Sequence, residues 1–161
     1  MLSRSSEYAI RALTYLAQRP QVQLHLAREM AEQLHLPAPF LGKVLQPLVT
    51  KGLIRSQRGR SGGFSLAKPP AQIRLLDIVE AEEGLASENK CLLGQLDCSD
   101  ANACPMHEYW QRAANEFRDR LTRTTLADLL HFAATHPNCA YPLQNPGSSL
   151  SAHISDTRSA M

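Results

Sequence analysis

The chain has 161 residues, 43% of them hydrophobic and 20% charged, with a formal net charge of +2. That length supports one core of ordinary size, or a small domain with an extension, and the composition excludes a disordered chain. No apolar run approaches the roughly 18 residues of a membrane span, and Met1-Leu2-Ser3-Arg4-Ser5-Ser6-Glu7 lacks the apolar core of a signal peptide, so a cytoplasmic protein with no membrane partner is expected.

The first expected element is an amphipathic helix, with Ala9, Ile10, Leu13, Leu16 and Ala17 on one stripe and Arg19-Pro20 as its stop. A second helix is expected from Leu24 to Leu34, with Leu26, Met30, Ala31 and Leu34 on one side. The Leu36-Pro37-Ala38-Pro39 run makes a turn, because the residue before each proline is pushed out of the helical region. A third helix then starts near Pro39, buries Phe40, Leu41, Val44, Leu45, Leu48 and Val49, and ends at Gly52, with a kink expected at Pro47. Two helices joined by a tight turn form a helix-turn-helix. Strands are expected at 53–57 and 63–67, joined by the basic, glycine-rich tip Arg58-Gly59-Arg60-Ser61-Gly62, and the whole reads as a winged helix. A short helix follows over 77–83, closed by Gly84.

Pro105 begins a long helix whose stripe is Met106, Trp110, Ala113, Ala114, Phe117 and Leu121. Thr125 to Asp128 has the form of a capping box and starts a last helix through about Ala134. The fold class is therefore mainly α, a winged helix-turn-helix domain with a long C-terminal dimerisation helix. Its parts are a DNA-binding head over 1–84, a cluster loop over 85–107, dimerisation helices over 105–134 and a disordered tail over 135–161, which is rich in Ser and Pro.

Charge supports the head's role. From Gln33 to Leu76 there are seven Lys or Arg and no acid, whereas from Asp77 to Asp100 there are seven acids and one Lys. A one-sign block of that length suits a nucleic-acid face, since phosphate contacts supply most non-specific affinity. Phe40, Lys43, Gln46, Lys51, Arg58, Arg60 and Ser61 are the candidate contacts to double-stranded DNA. Lys43 and Gln46 suit base edges, and the wing arginines suit a narrow minor groove.

Three of the four cysteines, Cys91, Cys98 and Cys104, lie with His107 inside 17 residues. Their spacing is too wide for a zinc ribbon, while thiolate and imidazole are the ligands of iron–sulfur clusters. Cys104 and His107 are three apart at a helix start and can face one side. An oxidised 2Fe-2S core with three thiolates and one neutral imidazole carries a charge of about −1, and histidine ligation raises its reduction potential. Free thiols that form a disulfide on oxidation are the competing reading, structural zinc is a second competitor, and Cys139 reads as an incidental thiol. Nothing suggests an enzyme, for no catalytic glycine loop or nucleophile set is apparent.

The stretches Val44 to Ile54 and Arg58 to Phe64, with the Cys91, Cys98, Cys104 triplet and Cys104-Pro105-Met106-His107, resemble the Rrf-type winged-helix regulators. That family includes iron–sulfur and nitric-oxide-sensing members, and the resemblance covers roughly residues 1 to 134. It implies a homodimer that binds a promoter operator, more as repressor than activator, under the control of a cluster sensing redox, nitric oxide or iron status. A 2Fe-2S cluster is favoured over 4Fe-4S. The resemblance also makes Glu7 the rival to His107 as fourth ligand, as a carboxylate donated by the partner subunit. The alternative function is a cluster-free, thiol-based redox regulator.

Overall fold

A computed structural model describes residues 2–59, 61–84, 91–96, 98–137 and 141. Its elements are α1 (Arg4–Ala17), α2 (Ala27–Leu34), α3 (Ala38–Thr50), β1 (Ile54–Gln57), β2 (Gly63–Leu66), α4 (Leu75–Glu83), α5 (His107–Arg123) and α6 (Leu126–Thr135). No described helix is long and apolar enough to cross a membrane.

Helix α1 is the hub. Ser3 caps it by accepting from the Ser6 amide at 3.1 Å, and every residue from Ala9 to Leu16 is buried. It packs against α2, α3, α4, α6 and β2. Leu13, Met30, Leu34, Leu41, Leu45 and Leu48 are essentially inaccessible to solvent, so the apolar stripes of α1, α2 and α3 close on one another as their periodicity requires.

Two helix ends fix the reading head. At the end of α2, His35 takes a left-handed conformation (φ 52°), and the Leu36 amide reaches back to the Ala31 carbonyl at 2.8 Å. At the end of α3, Gly52 (φ 66°) supports the paired bonds Leu53 N to Leu48 O and Gly52 N to Val49 O, the Schellman arrangement that glycine favours. Helix α3 runs through Pro47 as one element; the ring only deprives the Lys43 carbonyl of a donor.

The wing is a two-stranded antiparallel hairpin in register Ile54↔Leu66 to Gln57↔Gly63. Several boundaries differ from the sequence expectation. Helix α2 begins at Ala27 rather than Leu24, because residue 25 is extended and exchanges both backbone hydrogen bonds with Phe64 (2.9 and 2.8 Å). Leu26 is consequently exposed instead of joining the apolar side. Phe40, expected within the core, is 36% exposed and meets the Tyr8 ring edge-on at 5.4 Å. Helix α4 begins two residues earlier than expected, at Leu75, where the Asp77 carboxylate accepts from the Arg74 amide. Helix α5 begins at His107 rather than Pro105, and α6, capped by Thr125 and Asp128, runs to Thr135.

The corner between α5 and α6 is pinned to the head by the Leu75 amide to the Thr124 carbonyl (2.9 Å) and the Leu126 amide to the Ile73 carbonyl (3.0 Å). Of the residues beyond His136, Pro137 and Tyr141 are described; Tyr141 packs against the core with its hydroxyl 3.3 Å from Thr14 Oγ1. Cys139 and the rest of the expected tail lie outside the described residues.

Gly63 shows how tightly residue 25 and the wing are joined. Its φ is +152°, and a Cβ there would stand 2.7 Å from the His25 carbonyl oxygen. Gly63→Ala is expected to destabilise the protein by ~1–3 kcal/mol through backbone strain and overlap, read as a lower urea midpoint with an unchanged slope.

Candidate functional site

The loop between α4 and α5 gathers the sulfur and imidazole donors. Cys91 is buried, Cys98 and Cys104 are half-buried, and all three are free thiols. Cys91 Sγ lies 3.9 Å from Cys104 Sγ, and Cys98 Sγ lies 3.3 Å from His107 Nδ1. Residues as far apart as 91 and 107 are thus brought together as two facing pairs. Local turns do this: the Gly94 amide bonds the Cys91 carbonyl at 3.0 Å with Gly94 at φ 80°, and the His107 amide bonds the Cys104 carbonyl at 2.9 Å. The backbone amides of Gln95 and Leu93 hold the Cys91 thiol below its ordinary pKa, with a smaller contribution from the neighbouring cysteines.

The His107 ring is buried, and its other nitrogen, Nε2, meets the exposed carboxylate of Asp100 at 3.0 Å. Sequence reasoning missed Asp100. Its signal was an acid placed seven residues before a candidate imidazole ligand.

Three thiols and an imidazole are donor types that iron–sulfur clusters use and that structural zinc uses as well. A zinc site needs its ligands about 2.0–2.3 Å from one point, and among the described residues no group of three or more such side chains could hold a single metal ion. Glu7 stands exposed in the first turn of α1, its charge felt by Arg11. Among the described residues no hydrogen bond or ion pair joins it to the cysteine loop.

The DNA candidates lie on two exposed features. On α3, Phe40, Lys43 and Gln46 follow at three-residue spacing along the exposed side, and Lys51 is exposed at the helix end. Arg58 and Ser61 are exposed at the wing tip; Arg60 lies outside the described residues. Arg11, inside the head, donates to the Leu34 carbonyl at 2.6 Å, closing α2 against α1.

On α5 the expected stripe divides. Leu121 is buried by its own chain, while Trp110, Ala113 and Ala114 are half-buried and Phe117 is 47% exposed. Arg118 reaches the α4 residue Glu80 at 3.4 Å.

Comparison with known proteins defines the class. The Rrf2 family, described as an iron-dependent transcriptional regulator, matches residues 2–131, and the chain belongs to it. A relative from Aquifex aeolicus, named as an HTH-type transcriptional regulator, is 35% identical over 138 residues, covering 84% of this chain and 95% of its own. Among solved structures, CymR, the global cysteine regulator of B. subtilis, superposes with TM-score 0.68 at 25% identity, over 82% of this chain and 97% of its own. T. potens IscR superposes with TM-score 0.66 at 26% identity, over 83% and 88%. The chain is therefore a winged-helix transcriptional regulator of the Rrf2 family.

Glu82, one residue before the end of α4, has a buried Oε1 without a hydrogen-bond partner among the described residues. Burial, aided by Glu83, pushes its carboxyl up to about 7 from 4.5. A carboxyl raised in the folded state holds its proton there while the unfolded chain has lost it, so its effect is to lower stability as pH rises through 4.5 to 7. Glu82→Gln is expected to raise the melting temperature near pH 8 and to leave it unchanged near pH 4, followed by circular dichroism.

Proposed function

We propose that this regulator is a homodimeric, operator-binding repressor whose DNA affinity is controlled by an iron–sulfur cluster on Cys91, Cys98, Cys104 and His107. The observation that carries the reading is the convergence of three free thiols and one imidazole nitrogen, in pairs 3.9 and 3.3 Å apart, at the start of α5. His107 is favoured over Glu7 because its Nδ1 already faces Cys98 within the same chain. When bound, the cluster supplies a group sensitive to oxidants and nitric oxide, with 2Fe-2S favoured because mixed thiolate and imidazole ligation is the pattern of Rieske-type 2Fe-2S centres.

The chain's own residues do the rest. Cys91 follows the head, and Cys104 and His107 lead into α5, so holding all of them together ties the head to the helix. Phe40, Lys43, Gln46 and Lys51 on α3, with Arg58, Arg60 and Ser61 of the wing, form the DNA surface. The less covered part of the α5 stripe, half-buried Trp110 and exposed Phe117 above all, takes the partner subunit. Two heads must then stand about one DNA turn apart, and a coupling of ~1–3 kcal/mol between loop and heads changes affinity about 5–150-fold.

One observation favours a second reading. The 3.9 Å between Cys91 and Cys104 is close for two free thiols, and CymR, a cysteine regulator, is similar in fold. A cluster-free thiol switch would use that pair.

Anaerobic purification separates the two. The cluster reading expects visible absorption, stoichiometric iron and sulfide, and their loss in Cys91→Ala, Cys98→Ala and Cys104→Ala, each shifting affinity for self-selected DNA fragments by the same factor as nitric oxide treatment. Colourless protein whose DNA affinity responds to disulfide formation establishes the thiol switch instead. Trp110→Asp and Phe117→Asp place a charge in the proposed interface and are expected to give monomers by sedimentation; dimers in both variants would put the interface elsewhere.

A further inference from the structure

We infer that Asp100 is a positioning residue for His107, fixing the ring so that Nδ1, and not Nε2, is the nitrogen offered to the cluster. The inference rests on the cluster reading of the cysteine loop.

The two ring nitrogens have different surroundings. Nε2 lies 3.0 Å from Asp100 Oδ1, and Nδ1 lies 3.3 Å from Cys98 Sγ. An ionised carboxylate can only accept, so Nε2 carries the hydrogen and donates it to Asp100. In a neutral ring Nδ1 then keeps its lone pair, which is the form a metal ligand must have. The opposite tautomer sets two acceptors against each other at the Asp100 side. It also points an N–H at Cys98, where it could bond a thiolate but could not ligate iron.

Exposure divides the work between the two groups. The His107 side chain is only 7% exposed while that of Asp100 is fully exposed, so the carboxylate keeps its hydration and the ring is held away from water. Among the described residues Nε2 has no other hydrogen-bond partner. Asp100 opens the short 3-10 turn Asp100–Asn102, closed by the Asn102 amide on the Ser99 carbonyl at 3.0 Å. That turn carries the carboxylate to the far side of the ring from Cys98. Partners of this kind, behind a ligating histidine, orient the ring and raise its basicity, and their loss typically weakens metal binding by about 10–100-fold. A negative charge hydrogen-bonded to the ligand also favours the oxidised, more positive state of the cluster.

The test uses the full chain, loaded anaerobically, with histidine labelled by nitrogen-15 at a single ring position. Pulsed electron paramagnetic resonance of the reduced wild type is expected to show the strong coupling at Nδ1. Asp100→Asn can turn its amide NH2 toward Nε2 and reverse the tautomer. It should lose that coupling, raise the reduction midpoint and release iron to a chelator about 10–100-fold more readily. Asp100→Glu should restore the coupling and part of the retention. Glu108→Gln removes an equal charge beside His107 in the chain and should leave all three readouts unchanged. Because the Asp100 side chain is exposed, the apo melting temperature should not move in any variant.

Strong coupling at Nε2 in the wild type, or a wild-type coupling and midpoint in Asp100→Asn, overturns the inference and leaves the cluster reading standing. A wild-type chain without iron and sulfide overturns the cluster reading itself, and this inference with it.

Discussion

Helix α1 has neighbours on nearly every side, and the rest of the head is arranged around the polar groups it carries inside. Arg11 is buried, which lowers its basicity, yet it keeps its charge in play by donating to the Leu34 carbonyl at 2.6 Å. That carbonyl belongs to the last residue of α2, where helix geometry leaves acceptors without donors. A cation at a helix C-terminus also meets the negative end of the dipole. One side chain therefore docks α1, ends α2 and sets the turn into α3. Thr14 satisfies itself on the Ile10 carbonyl at 2.8 Å and meets the Tyr141 hydroxyl. The hub thus sets its buried guanidinium and hydroxyl on helix carbonyls, the partners that buried polar groups need.

The same helix is tied to the approach to the cysteine loop. Glu83, the last residue of α4, accepts from the Ser6 hydroxyl at 2.6 Å and the Ser3 amide at 3.0 Å. These bonds hold its carboxyl below the ordinary range against the opposing effect of burial. Glu82 beside it has no such donors among the described residues and shifts the other way. Two adjacent glutamates are thus driven apart, Glu82 upward by burial and by Glu83, and Glu83 downward by its hydrogen bonds to Ser6 and Ser3. The end of α4 is consequently firm on the α1 side. The chain leaves that point through Gly84 (φ 70°) toward Cys91, so the head has a fixed exit from which the loop departs.

The loop and the helix after it are made differently from the head. Leu92, Leu93 and Leu96 are exposed, and among the described residues few backbone hydrogen bonds span the segment apart from its tight turns. Among the described residues its side-chain contacts include Cys91 with Cys104, Cys98 with His107, and His107 with Asp100. Little buried apolar surface opposes rearrangement of such a segment.

How much was legible beforehand follows the range of the forces. Periodicity and capping are local, so the stripes of α1 and α3, the Gly52 terminus, the hairpin and the Thr125–Asp128 box could be read from the sequence. So could the clustering of Cys91, Cys98, Cys104 and His107, because donors close in sequence stay close in any fold. What could not be read depends on partners distant in the chain. Residue 25 looked helical, and only Phe64, 39 residues on, draws it into the wing. Phe40 looked like core until Tyr8 met it from the side. The α5 stripe looked uniform, though the head covers Leu121 and leaves Phe117 open. Asp100 looked like one of many acids until the 3-10 turn carried it to His107. The sequence determined which residues carry the chemistry and the spacing that groups them. The tertiary structure decided which nitrogen of His107 faces a thiol and which faces a carboxylate, because a ring's orientation is fixed only by the groups on both of its sides.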